Sequence, residues 1–253
     1  MPNDVLVDQV KDTHQRLLRS VNDALIFLKQ VRPLLVIAQE KYANDPSKVK
    51  KSPYIVPSIY PGENSVHRSP EQLKAVYQYY NDTGFFQAFL VNMVSEFESF
   101  LWDVSYQFLN HNPARFNAKG APTCAPILMS DLIGEKTKEE LIDGVLQTLV
   151  DGVFYQKPAD YLAYIGGLIG VDLSASVEDF CEIAATRDLV VHNKLIANTV
   201  YLSKAKDKSR GALGDTLVID EAYYEDSIKH IKKIAASINE HIRGKYSTEF
   251  EKI

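Results

Sequence analysis

Cysteine is nearly missing from this chain: Cys124 and Cys181 are the only two in 253 residues. Two thiols so far apart form neither a framework of pairs nor a metal-ligand spacing. Both therefore read as small core hydrophobes of a reducing compartment. Long apolar runs are missing too. Stretches such as Ala24 to Leu28 and Leu34 to Ala38 fall far short of the roughly 18 residues that a membrane helix needs, so no membrane partner is expected. There is no excess of positive charge. A formal net charge of -5 excludes a protein coated in basic surface, and any contact with nucleic acid has to be local. The opening Met1-Pro2-Asn3-Asp4 lacks the basic region and apolar core of a secretory signal, so the expected location is cytoplasmic. No group of His, Asp and Glu residues has convincing metal spacing, and neither a metal nor a cofactor is expected.

What is present is ordinary for a globular protein, with 45% apolar and 24% charged residues, enough to bury a substantial core. Helical periodicity dominates. A first helix is expected from about Asp4 to Ala43, with Leu6, Val10, Leu17, Val21, Leu25 and Leu28 at helical spacing and Pro33 expected to kink or break it. Residues 44–70 carry Pro46, Pro53, Pro57, Pro61 and Pro70 and a basic run, Lys48 to Lys51; they read as a proline-rich connector. A long helix or broken pair follows from Glu71 to about Asn110, with Gly84 marking the break and Phe86, Leu90, Met93, Val94, Phe97, Leu101, Val104 and Phe108 forming one stripe. The aromatic crowding from Tyr77 to Phe89 fits a packed core or subunit interface better than a base-stacking surface. Residues 112–126 read as loop.

Thr137-Lys138-Glu139-Glu140 has the form of a capping box, opening a helix to about Tyr155. Pro158 suits the first turn of another, ending near Gly170. Ser176 with Asp179 is expected to open the next. Lys204, Lys206, Lys208 and Arg210, then Gly211 and Gly214, predict a basic, flexible turn; Thr216 to Ile219 reads as a short extended piece. Asp220 should cap a last helix to about Arg243, with Tyr224, Ile228, Ile231, Ile234, Ala235 and Ile238 inward. The expected fold class is all-α: an antiparallel helical bundle with a long N-terminal helix, a single domain over residues 1–253 whose core spans 71–243.

The candidate site is Arg187-Asp188-Leu189-Val190-Val191-His192-Asn193. At about 100° per residue, Phe180, Ile183, Ala184, Val190 and Val191 lie within about 60° of Arg187. The arginine thus points from an apolar face and must meet a carboxylate, an interface or a ligand phosphate. His192 lies about 140° away, and Asp188, four residues earlier, is spaced to orient its imidazole. The two diverge, so one phosphate would be shared by two copies of the helix across a two-fold axis, or else the helix bends near Asn193. Histidine suits proton transfer near neutrality, and arginine suits charge building on a phosphoryl group, which is sufficient for RNA cleavage without a metal. Spacing alone leaves a structural, salt-bridged arginine beside a surface histidine as the alternative.

The run Ala184-Ala185-Thr186-Arg187-Asp188-Leu189-Val190-Val191-His192-Asn193-Lys194 resembles the signature of the HEPN superfamily: Arg, a polar residue, three further residues, then His, late in a helical bundle. An earlier Phe97-Glu98-Ser99-Phe100-Leu101 and a Gly214-Asp215 turn before the last helix agree with it. The resemblance covers residues 71–243 loosely and does not extend to residues 1–70. It implies a dimeric, metal-independent endoribonuclease of toxin or anti-phage defence type, with RNA as partner and an antitoxin or other regulatory protein restraining it. Arg187 and His192 would be the catalytic pair, positioned by Asp188, and Glu98, or else Glu96, would support Arg187. Lys194, Lys204 and Lys206 would bind substrate. Asn193 would hold a phosphate or else bond the helix backbone. Relatives often place a glycine after the histidine; here Lys194-Leu195 stand instead. The alternative is a non-catalytic HEPN module binding nucleotide, RNA or a protein.

Overall fold

The structure, a computed structural model, describes residues 3–44, 54–55, 65–66, 68–117 and 137–247. Most of the proline-rich connector, its basic run, the greater part of the loop expected over 112–126 and Cys124 lie outside these. The described chain is an all-α bundle. Its helices are α1 (Asn3–Asn44), α2 (Pro70–Tyr79), α3 (Phe85–His111), α4 (Lys138–Phe154), α5 (Pro158–Ile169), α6 (Ser174–His192), α7 (Thr199–Ala205) and α8 (Glu221–Tyr246). A two-residue antiparallel pairing joins Tyr54–Ile55 to Ser65–Val66.

Local chemistry accounts for most of the boundaries. Ser69 and Thr137 each form a complete capping box, with Gln72 and Glu140 answering at the third helical position. Asp220 accepts the Tyr223 amide at the start of α8. Gly170 ends α5 in the left-handed region at φ 91°, a conformation open to glycine without a Cβ penalty. Gly84 does not end a helix. Residues Tyr80–Gly84 form a π-helical turn that carries α2 into α3, and a Cβ at Gly84 would lie 2.7 Å from the Tyr79 ring.

Three further expectations are corrected. Of the kink or break expected at Pro33, the break does not occur, and α1 is helical through it; that residue and Lys29, whose carbonyl loses its partner, are both exposed, so water can take the place of the missing bond. Ser176 does not open α6. The helix begins at Ser174, whose amide is taken by Asp172, and Ser176 is buried in the first turn. The stretch read as a flexible basic turn begins as α7, capped by Asn198, and continues as a 3-10 turn over Lys206–Lys208.

The apolar stripes of α1, α3 and α8 meet in one core that also takes in α4, α5 and α6. Helix α6 is central: it packs against α3, α5, α7 and α8. Every residue from Phe180 to Thr186 is consequently buried, and the helix emerges toward solvent in its first turn and in its last two turns. The last two carry the motif.

Candidate active site

Arg187 stands where α6 leaves the core. Its Nη2 donates to both oxygens of Glu98 on α3, at 2.9 and 3.0 Å, and the two side chains are 24% and 27% exposed. Glu96, two residues earlier, is exposed, which follows from helical geometry: only one of two carboxylates so spaced can face α6. Tyr161 of α5 gives its hydroxyl to Glu98 at 3.3 Å. Burial pushes the Glu98 carboxyl above its ordinary range, and Arg187 and the Tyr161 hydroxyl pull it back only in part. The Tyr161 phenol is held firmly protonated by burial and by the neighbouring carboxylate.

Asp188 faces a different way from the expected one. Its Oδ2 takes Lys204 Nζ at 2.8 Å, and its Oδ1 lies 3.5 Å from Arg187 Nε. It therefore anchors α7 to α6 instead of orienting His192. A fully charged ammonium delivered by an adjacent helix is a stronger partner than an imidazole on the same helix face. His192 is exposed on the final turn and makes no hydrogen bond or ion pair among the described residues. Val191 is 51% exposed, so the apolar face projected around Arg187 ends there. A helix buried on nearly all sides has no clean face to project.

The helix stops by an unusual device. Lys194 and Leu195 both adopt left-handed backbone, at φ 50° and 62°. The Leu195 amide reaches back to the Leu189 carbonyl at 3.0 Å, closing the helix as a glycine would. Asn193 spends its side-chain amide on the Ile196 carbonyl, a backbone group of the loop after α6 and not of the helix itself. Lys194 is exposed beside it. The strand-like expectation over 216–219 reduces to one bridge, Ile196 to Thr216.

An open cleft of about 440 Å³ lies at the Arg187–Glu98 pair, lined also by Ser99, Trp102 and Phe154. Trp102 is pinned there by its indole N–H to Asp151 at 2.8 Å and by stacking on Tyr106. The sequence reading passes over both aromatics. Trp102 follows Glu98 by one helical turn, which is the signal that would have found it; Phe154 belongs to another helix and left none. Searches against protein-family models, curated proteins and solved structures find no match. The residues of the site must carry the functional argument themselves.

The most completely built polar cluster also escaped the sequence reading. Glu182, 5% exposed, collects Thr186, Tyr201, Arg210 and Tyr223 within 2.7–3.0 Å. Arg210 stacks on the Tyr223 ring at 3.6 Å and donates to the Val218 carbonyl. Lys208 pairs with Asp179 at 2.6 Å. The basic turn is therefore clamped to α6, and Arg210 and Lys208 are already neutralised by carboxylates. Lys206 is exposed and makes no ion pair among the described residues, whereas Lys204 is held by Asp188. No group of three His, Cys, Asp or Glu residues among those described is arranged to hold a metal ion, and no described helix is long and apolar enough to cross a membrane.

Proposed function

We propose that the chain is a metal-independent endoribonuclease of HEPN type, acting in toxin or anti-phage defence as a homodimer. The carrying observation is Arg187 at the wall of an open cleft, with Nη2 on Glu98, Nε beside Asp188 and Nη1 making no hydrogen bond among the described residues. A guanidinium held by one nitrogen and short of a partner at another suits a phosphodiester oxygen. Trp102 and Phe154 offer flat faces for the adjoining bases. The reaction is attack of the 2′-oxygen on the neighbouring phosphorus. The 2′-hydroxyl proton passes to a base, the P–O5′ bond breaks, and an acid protonates the departing oxygen, leaving a 2′,3′-cyclic phosphate. His192, exposed one turn beyond Arg187, supplies the proton transfers to the cleft of the second copy, and Arg187 steadies the phosphoryl charge.

The test is cleavage of labelled RNA in EDTA by the wild type, His192→Ala and Arg187→Ala. Both substitutions should abolish cleavage while His192→Ala leaves thermal unfolding unchanged, since that side chain is exposed. Cleavage indifferent to both would sink the assignment. A second reading, a non-catalytic module binding nucleotide, RNA or protein, is favoured by the same ion pair: Glu98 already satisfies Nη2 of Arg187. Tight RNA binding without cleavage decides for it.

A further inference from the structure

A second concavity, of about 570 Å³, opens between α5, α6 and α7, within the roughly 300–1,000 Å³ range of small-molecule sites. We propose that it binds a nucleotide, with the base against its apolar wall and the phosphate at its lysine rim. The wall is formed by Pro158, Val177 and Val200, small apolar surfaces on which a planar ring can lie. The rim carries Lys157, Lys204 and Lys206. Lys157 and Lys206 make no ion pair among the described residues, so two cations are available to an anion without breaking any existing contact. Lys157 also precedes the first turn of the twelve-residue α5, where its carbonyl takes the Asp160 and Tyr161 amides at 2.9 and 3.1 Å, so the anion is met by the lysine side chains and not by that turn's backbone. Two carboxylates, Asp160 and Glu178, also line it and match the donor groups of a ribose or base. Cys181 also lines the cavity, 7% exposed and without a hydrogen bond among the described residues.

Lys206 adds a separate observation. Its backbone sits at φ 49° and ψ -126°, a conformation natural to glycine and strained for lysine. A lysine at such a point forgoes backbone stability and places a free cation at the rim. Lys204 links the cavity to the motif, because the same ammonium that lines it holds Asp188 at 2.8 Å. A phosphate drawing on Lys204 would therefore loosen Asp188. The proposal stands whether or not the chain cleaves RNA.

The experiment is calorimetric titration of the full-length His192→Ala chain, in EDTA, with adenosine 5′-monophosphate. Inorganic phosphate, adenosine and a short oligoribonucleotide are titrated in parallel. The nucleotide should bind, and Lys157→Ala and Lys206→Gly should each weaken it about tenfold, the loss of one charge-assisted hydrogen bond. Lys206→Gly should at the same time raise the melting temperature, which a damaged fold would not do. Alkylation of Cys181, assigned by comparison with Cys181→Ala, should slow when nucleotide is bound. An oligoribonucleotide that competes with the mononucleotide identifies the occupant as part of an RNA strand; one that does not identifies a free nucleotide. Absence of binding at millimolar nucleotide, affinity unmoved by both lysine substitutions, or inorganic phosphate binding as tightly as the nucleotide would overturn the proposal.

Discussion

Arg187 gives one nitrogen, Nη2, to both carboxylate oxygens of Glu98, while its buried Nε makes no hydrogen bond and lies 3.5 Å from Asp188 Oδ1. A fork-to-fork pair would engage two nitrogens and leave less of the guanidinium in reserve. The side-on grip holds the arginine in place at the rim of the core and keeps a donor for something else. The same contact joins α3 to α6, so it is structural and chemically unfinished at once.

Removing the carboxylate leaves a half-buried guanidinium with only Asp188 nearby. Glu98→Ala should destabilise the fold by about 1–3 kcal/mol, below the range for fully buried pairs because both partners are partly wet. Urea unfolding measures it. A loss under about 0.5 kcal/mol would mean that water already carries the arginine's charge.

The Glu98 carboxyl should titrate above the ordinary glutamate range, since burial outweighs the pull of Arg187. Arg187→Gln should move it further up, and Asp188→Asn should move it down by removing a like charge. Relative to the unfolded chain, the fold shifts Glu98 toward its neutral form. Its contribution to stability is therefore complete below the unfolded value and is lost as pH rises through the folded one. Carbon-13 NMR of the carboxylate reads both shifts, and a value below the ordinary range would contradict the burial argument.

Glu182 is the most exacting polar residue in the bundle. Four donors converge on it, and Glu182→Ala would leave Arg210 and three hydroxyls without their acceptor. The expected cost is about 3–5 kcal/mol. Tyr223→Phe, which removes a single hydroxyl, should cost about 1 kcal/mol. Denaturant midpoints for the two variants should differ accordingly, and equal midpoints would show that the network is not centred on the carboxylate.

The end of α6 offers an opposite sign. Lys194 is exposed at φ 50°, so Lys194→Gly relieves strain without removing buried surface and should stabilise by up to about 1 kcal/mol. Leu195, next in chain and at φ 62°, is buried. Leu195→Gly relieves the same strain but loses more in burial, and should destabilise by about 1–2 kcal/mol net. Thermal melts of the pair test whether the helix stop is held by backbone preference or by the leucine's packing.

Much of the bundle was legible along the chain because helical periodicity, capping boxes and the prolines that open helices are local signals. The stripes of α1, α3 and α8 and the caps at Thr137 and Asp220 all depend on residues within one or two turns of each other. Glu98 was also within reach, since a buried arginine demands a carboxylate and the family resemblance directed attention to the Glu96–Glu98 stretch. Tertiary structure decided what those residues are committed to. Asp188 turned to Lys204 and away from His192, Arg210 vanished into the Glu182 cluster, and Trp102 and Phe154 came together from two helices. The Arg187–Asp188–His192 pattern was therefore a property of the sequence by itself. Which of its charges stay free depended on neighbours distant in the chain, because a charge leaving water takes the best-placed counter-charge, and helix packing alone sets which one that is.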